Sequence, residues 1–256
     1  MDKLYLDYAA TTPLHPEVVE EMQRYLTIDQ HFGNASSQHA FGKAAQEAIQ
    51  NARSQVADMI HAEPSEIIWT SGATEANNLA IKGIAELYKN KGKHIITMTT
   101  EHKAVLDPCM HLEKNGFSVT YLPSLANGLL SIDMLEKAIR PDTILVSIMA
   151  VNNETGIIQD LMSIRELTQQ RGIFLHTDAV QAIGKIKLDI RDIPMDLISM
   201  TAHKVYGPKG IGALYIRKRP RIRVMPLIHG GGQEHGMRSG TLPTHQIAGM
   251  GKAFAL

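Results

Sequence analysis

The 256 residues are 44% apolar, 20% charged and 5% aromatic, with 26 basic against 26 acidic side chains and no formal net charge. That length suits one large α/β domain, or two modest ones, with enough core to fold unaided. Charge balance argues against a polyanion-binding surface as the chain's main business, since such surfaces leave a basic excess; the local run Arg217 to Arg223 reads as a solvated turn. The single cysteine, Cys109, excludes an intramolecular disulfide framework and a thiolate zinc site. No apolar run approaches the roughly 20 residues of a membrane span, and Met1 to Asp7 lacks the basic start and apolar core of a secretion signal. The expectation is a cytoplasmic protein with no metal site, membrane contact or direct nucleic-acid contact.

In chain order, an extended lead ends at Thr12-Pro13. Apolar residues at helical spacing follow at Val18/Met22/Leu26, Phe41/Ala45/Ala48/Ala52/Val56/Ile60 and Leu79/Ile84/Leu87. Short β-branched runs predict strands over 67–70, 94–99, 118–122, 143–151, 173–177 and 197–201. Strands alternating with helices predict right-handed crossovers, hence a three-layer α/β architecture with a mostly parallel sheet and helices on both faces. From Gln246 a further helix begins, and it reaches Ala253-Phe254-Ala255-Leu256 without a closing cap. This ending reads as that of a fragment.

Parallel sheets gather ligands at the carboxyl ends of their strands, so the residues just after each strand carry the information. Ser71-Gly72-Ala73-Thr74-Glu75 follows the strand at 67–70 and opens a helix. It is either an ordinary cap with an acidic first turn or a phosphate cup of free N–H groups and hydroxyls. Glu101-His102 follows the next strand, and a histidine there serves as a helix cap or as a flat, proton-carrying wall. Asn152-Asn153-Glu154-Thr155-Gly156 is a turn whose amides can orient a ring substituent or merely close the turn.

Asp178 and then His203-Lys204 end two neighbouring strands, with Gln181 close behind Asp178. They form an ion pair, or they supply the two groups that pyridoxal phosphate needs: an amine for its aldehyde and a carboxylate for its pyridine nitrogen. The glycine-rich stretches 207–212 and 229–234 fit neither a P-loop nor a dinucleotide fingerprint, and their glycines allow close backbone approach. Arg238-Ser239-Gly240-Thr241 adds a cation and hydroxyls suited to a phosphate.

Taken together, Leu6-Asp7-Tyr8-Ala9-Ala10-Thr11-Thr12-Pro13, the Thr70–Glu75 and Thr100–His102 segments, Val151-Asn152-Asn153-Glu154, His176 to Gln181, His203-Lys204, Tyr206-Gly207-Pro208-Lys209-Gly210 and Gly236 to Thr241 resemble the cysteine desulfurases of the iron–sulfur assembly type. These are class V aminotransferases of pyridoxal phosphate fold type I, and the likeness runs from residue 4 to 256. The resemblance implies Lys204 as the Schiff-base lysine, Asp178 on the pyridine nitrogen, and Gln181 and Asn153 on the ring-oxygen side. It implies His102 stacked on the ring as acid/base, Ala73, Thr74, Thr201 and His203 around the phosphate, and Thr241 reaching the phosphate of the other subunit of a homodimer. By the same resemblance, L-cysteine becomes L-alanine while its sulfur passes to an enzyme cysteine and on to a scaffold or other acceptor protein. Residues 1–13 would belong with a small domain and 14–256 would form the large cofactor domain. The rest of the small domain, the nucleophilic cysteine and the arginine for the substrate carboxylate would lie beyond residue 256.

Some positions depart from the family pattern: Thr201 replaces the usual Ser, Ala35 the usual Pro and His235 the usual Arg. Cys109 does not inherit the nucleophile's role; within Leu106–His111, an expected helix start, it reads as a buried structural thiol. Selenocysteine lyase or another class V enzyme stays open as an alternative, as does a non-catalytic dimeric scaffold. Retention of Lys204, Asp178 and His102 together weighs against the scaffold.

Overall fold

The computed structural model describes residues 4–29 and 31–256. Met1, Asp2 and Lys3, part of the expected N-terminal lead, lie outside the described residues. Seven strands build one sheet: β1 Ile67–Thr70, β2 His94–Met98, β3 Ser118–Leu122, β4 Thr143–Ser147, β5 Phe174–Asp178, β6 Leu197–Thr201 and β7 Gly212–Ile216. Their order is β1-β7-β6-β5-β4-β2-β3. The run from β6 to β3 is parallel, whereas β7 pairs antiparallel with both β6 and β1. Two antiparallel steps restore direction, so β1 points the same way as β6 and its carboxyl end joins theirs.

Seven α-helices, with short 3-10 helices at Pro64–Glu66 and Glu234–Gly236, accompany the sheet among the described residues: α1 Pro16–Gln23, α2 Ala40–Met59, α3 Ala73–Tyr88, α4 Lys103–Lys114, α5 Ile132–Ala138, α6 Leu161–Gln170 and α7 Thr244–Ala255. The sheet's two faces bury separate cores, as period-2 alternation requires. Ile67, Trp69, Val146, Ile198 and Met200 face the cluster formed with α2, α5, α6 and α7. Ile68, Leu145, Leu197 and Leu214 face the cluster formed with α3 and α4. The layered α/β architecture read from periodicity is therefore present, with a mixed rather than uniformly parallel edge. No described helix is long and apolar enough to cross a membrane.

Several local expectations need correction. Strand β7 follows directly on the glycines of 207–212, and their density drew attention to backbone approach rather than to the apolar Ala213–Ile216 behind them. The strand predicted over 143–151 stops at Ser147, although Ile148 and Ala150 still donate to the His176 and Asp178 carbonyls at 3.1 and 3.0 Å. Helix α1 ends at Gln23, which leaves Leu26 outside it and exposed. Cys109 lies inside α4 rather than at a helix start, because His102 caps that helix six residues earlier than Pro108 suggests. In the basic run, Arg217 folds onto Asp196 at 2.6 Å while Arg219, Arg221 and Arg223 stay exposed.

Candidate functional site

A cavity of about 670 Å³ opens at the carboxyl ends of β1, β2, β4, β5 and β6. Its lining includes nine of the ten residues singled out from sequence: Ala73, Thr74, His102, Asn153, Asp178, Gln181, Thr201, His203 and Lys204. The tenth, Thr241, lies outside it and is exposed.

The α3 end of the cavity is a backbone cup. Gly72 caps α3 with φ 154 and ψ 177, a conformation essentially reserved for glycine, and supplies no capping side chain. Gly212 opens β7 against it; a Cβ there would lie 2.7 Å from the Gly72 carbonyl carbon. The first N–H groups of α3 therefore face the cavity without helical acceptors, at the positive end of the helix dipole. Glu75 stands beside this cup and is held elsewhere: it accepts from Ser71 N–H at 2.7 Å and from Arg238 at 2.8 and 3.2 Å. Burial pushes its carboxyl up, and the Arg238 and Ser71 bonds more than offset this, leaving it below the ordinary value. Arg238, read from sequence as a phosphate cation, is thus committed to Glu75, which sits near enough to capture it.

Thr201 donates its hydroxyl to the Ile211 carbonyl at 3.0 Å, so it offers the cavity lone pairs until that hydroxyl turns. The His203 Nδ1 meets the Thr11 hydroxyl at 3.2 Å, and its Nε2 has no hydrogen-bond partner among the described residues. Burial, with Lys204 and Lys209 nearby, lowers the His203 pKa and favours the neutral ring.

On the floor, Asp178 is 5% exposed and ends β5. Its Oδ1 accepts from Val180 N–H at 3.0 Å and its Oδ2 from Asn77 Nδ2 at 2.7 Å. Burial raises its pKa against the pull of these bonds and of His102 and Lys204. Asp178 and Lys204 form no ion pair within 4 Å among the described residues. Instead, Lys204 Nζ donates to the carbonyls of Ala9 and Ala10 at 2.5 and 2.7 Å. Burial first, and Lys185 second, hold the Lys204 amine below the usual lysine value.

Gln181 donates to the Ala9 carbonyl at 3.0 Å and accepts from Lys185 at 2.6 Å. A lysine can only donate, so this bond fixes the amide with its N–H edge toward the Ala9 carbonyl, itself part of the cavity lining. His102 both caps and lines: its Nδ1 accepts from Ala104 N–H at 3.0 Å, so in the neutral ring the proton resides on Nε2. Of the paired asparagines, Asn153 reaches the cavity. Asn152 closes the turn, accepting from Glu154 N–H and Thr155 N–H at 2.9 Å each.

The N-terminal lead is not merely extended. Ala10 and Thr11 N–H fold back to the Asp7 carbonyl at 3.1 and 3.4 Å, and the turn lies across the site. Thr12 N–H anchors it on the His203 carbonyl at 2.9 Å. Sequence reasoning missed Asn77, buried completely against Asp178, although it stands one helical turn after Ala73 on the same face of α3. Met149, Asp7 and Lys209 also line the cavity without having been foreseen.

An amine and a buried carboxylate at adjacent strand ends, below a glycine-opened helix start, define a pyridoxal phosphate site of fold type I. The residues fit that cofactor: the cup matches its phosphate, Asp178 its ring nitrogen, Lys204 its aldehyde, and the cavity its size. The aminotransferase class-V family model matches residues 4–256. The chain belongs to that family, whose enzymes use pyridoxal phosphate.

Cysteine desulfurase IscS of Buchnera aphidicola subsp. Acyrthosiphon pisum (strain 5A) is 59% identical over 254 residues, which are 99% of this chain and 63% of that protein. The chain thus spans less than two thirds of the length of such curated relatives. The solved structure "SspA in complex with cysteine" is 47% identical with a TM-score of 0.94, covering 98% of this chain and 72% of its own. A NifS-like protein structure is 41% identical with a TM-score of 0.95, covering 99% and 69%.

Proposed function

We propose that this chain is the cofactor-binding part of a cysteine desulfurase, which converts L-cysteine to L-alanine and passes the sulfur to a protein thiol. The observation that carries this reading is the grouping of Lys204, Asp178, His102 and the α3 cup in one cavity, in a chain 59% identical to a protein named as that enzyme. When bound, pyridoxal phosphate supplies an aldehyde that joins amines and a ring that takes up electron pairs released at the substrate's α-carbon.

The chain's own residues have separable tasks. The N–H groups of Ala73 and Thr74, with Thr201 and His203, hold the phosphate. Asn153 and the N–H edge of Gln181 orient the ring-oxygen side. Asp178 keeps a proton on the ring nitrogen, and Lys204, depressed toward its neutral amine, accepts and returns a proton beside the substrate's α-carbon. His102 forms one wall of the cavity and carries its proton on Nε2.

The reaction balances without an oxidant. The cysteine's carbon–sulfur bond breaks, a thiolate takes the sulfur as a persulfide, and the carbon gains a proton to become alanine. This chain's one thiol, Cys109, is buried, and burial pushes it up to about 12. The 256 residues accordingly bind cofactor and substrate and lack a thiol able to take the sulfur. Residues 14–256 act as the large domain, with 1–13 serving a small one. The functional unit is a cytoplasmic homodimer in which Thr241 reaches the partner's phosphate, and a scaffold or other sulfur-acceptor protein receives the product.

The test is to mix the pyridoxal phosphate-loaded chain with L-cysteine. A change in the visible spectrum without persulfide on the protein supports both halves. A spectrum indifferent to L-cysteine but responsive to L-selenocysteine or L-cysteine sulfinate would transfer the chain to another class V activity. Persulfide formation at the rate of an intact desulfurase would overturn the assignment of the thiol.

A further inference from the structure

Two buried side chains under the cavity have no role in the scheme above, and each leaves a polar atom unpaired. Asn77 is fully buried, and its Oδ1 has no partner although its Nδ2 donates to Asp178 Oδ2 at 2.7 Å. Glu101 is 6% exposed; its Oε1 accepts from Met149 N–H at 2.8 Å and its Oε2 is buried and unpaired.

We propose that Asn77 and Glu101 are positioning residues that set the charge of the Asp178 carboxylate, Asn77 by donating to it and Glu101 by remaining the uncharged acid beside it. An ionised carboxylate can only accept, so Asn77 must turn its Nδ2 toward Asp178, and its carbonyl oxygen is then stranded. An orphaned buried acceptor costs about 1–3 kcal/mol. A leucine, with the same branching and number of side-chain heavy atoms, would avoid that cost and would also remove the donor. The asparagine therefore spends stability on one hydrogen bond, and that bond favours the charged form of Asp178.

Glu101 carries the complementary half. A second carboxylate in the same dry floor would repel the first, and such pairs resolve by one group keeping its proton. Asp178 has the stronger claim to the charge, with two N–H donors and with His102 and Lys204 facing it. Glu101 has one donor. Burial drives its carboxyl well above the ordinary value, and Asp178 adds to that rise. The ionisable groups around Asp178 are thus Glu101 and His102 from the turn before α4 and Lys204 after β6, while α3 presents the uncharged Asn77 and β4 presents none.

This inference rests on the pyridoxal phosphate reading of the cavity only for its second test. The first is infrared difference spectroscopy of the cofactor-free chain at neutral pH. Glu101→Gln should remove a protonated-carboxyl band that Asp178→Asn leaves in place; no such band, or its loss in Asp178→Asn instead, overturns the proposal. The second is cofactor affinity across pH. Glu101→Gln should stay within about twofold of wild type, since it replaces one neutral group by another. Asn77→Leu should lose ten- to a hundredfold near neutral pH, roughly the worth of a hydrogen bond to a charged group, and recover at alkaline pH where Asp178 ionises unaided. A loss that is equal at every pH marks a merely structural Asn77 and contradicts the proposal. If Asn77→Leu does not fold, the infrared comparison still decides. If wild type takes up no pyridoxal phosphate, the reading of the cavity fails while the assignment of charge is still judged.

Discussion

The Lys204 amine donates to the Ala9 carbonyl at 2.5 Å, and the same carbonyl accepts from Gln181 at 3.0 Å. The N-terminal turn and Lys204 are therefore bound to one another, and attachment of an aldehyde at this amine would require Lys204 to leave two carbonyls and lose a proton. Because burial and Lys185 lower its pKa, the neutral amine becomes available below the ordinary lysine range near 10.5. The rate of pyridoxal phosphate attachment should rise with pH and level off at a lower pH than it does for free lysine. Stopped-flow absorbance measures this, and a rate flat with pH contradicts it.

The cup at α3 depends on Gly72. Alanine there would occupy a φ of 154, at a strain of about 1–3 kcal/mol, and the backbone would relax away from the phosphate position. We expect Gly72→Ala to melt lower and to bind pyridoxal phosphate at least about tenfold more weakly, while pyridoxal lacking the phosphate is affected less. Calorimetric titration with the two compounds separates the effects.

His102 has two jobs that substitution can divide. His102→Ala removes the α4 cap, worth about 1 kcal/mol, together with the cavity wall. His102→Asn retains a capping acceptor, so its melting temperature should stay near wild type while the spectrum of bound cofactor changes as in the alanine variant. Equal spectra for His102→Asn and wild type would leave His102 as a cap alone.

His176 is a core histidine rather than a site residue. It is fully buried between the Ser147 and Ser199 hydroxyls at 2.8 and 2.9 Å, and burial lowers its pKa to about 3. The unfolded chain takes this proton near 6.5 and the folded chain refuses it until far lower. Stability is thus full above about pH 6.5 and falls by a few kcal/mol as pH drops toward 3. In His176→Gln the urea midpoint should vary less steeply over that window, whatever the substitution costs at neutral pH.

Cys109 should be silent to thiol reagents in the folded chain and reactive only after unfolding, given its burial and its pKa of about 12. Cys109→Ala should cost about 1 kcal/mol of stability and leave cofactor uptake unchanged. Rapid labelling of the native thiol would revive it as a sulfur carrier.

Much of this was legible from residues alone, because strand-end positions converge in a parallel sheet: Asp178 and Lys204 needed only the strand pattern to be placed side by side. What escaped depended on contacts distant in sequence. Asn77 meets Asp178 across 101 positions, and Arg238 is captured by Glu75 across 163. Strand β7 was hidden because its five residues adjoin a glycine cluster that signals close approach more loudly than a strand. The lead's turn over Lys204 was illegible for a related reason, since its anchors lie near residue 203.

The most direct measurement is the absorption spectrum of the chain with pyridoxal phosphate before and after borohydride, followed by peptide mass analysis. A visible band that borohydride bleaches, with the cofactor's mass fixed on the peptide carrying Lys204 and absent from Lys204→Ala, is the predicted result. A chain that stays colourless with added cofactor, or label spread over surface lysines, would contradict the site at its centre.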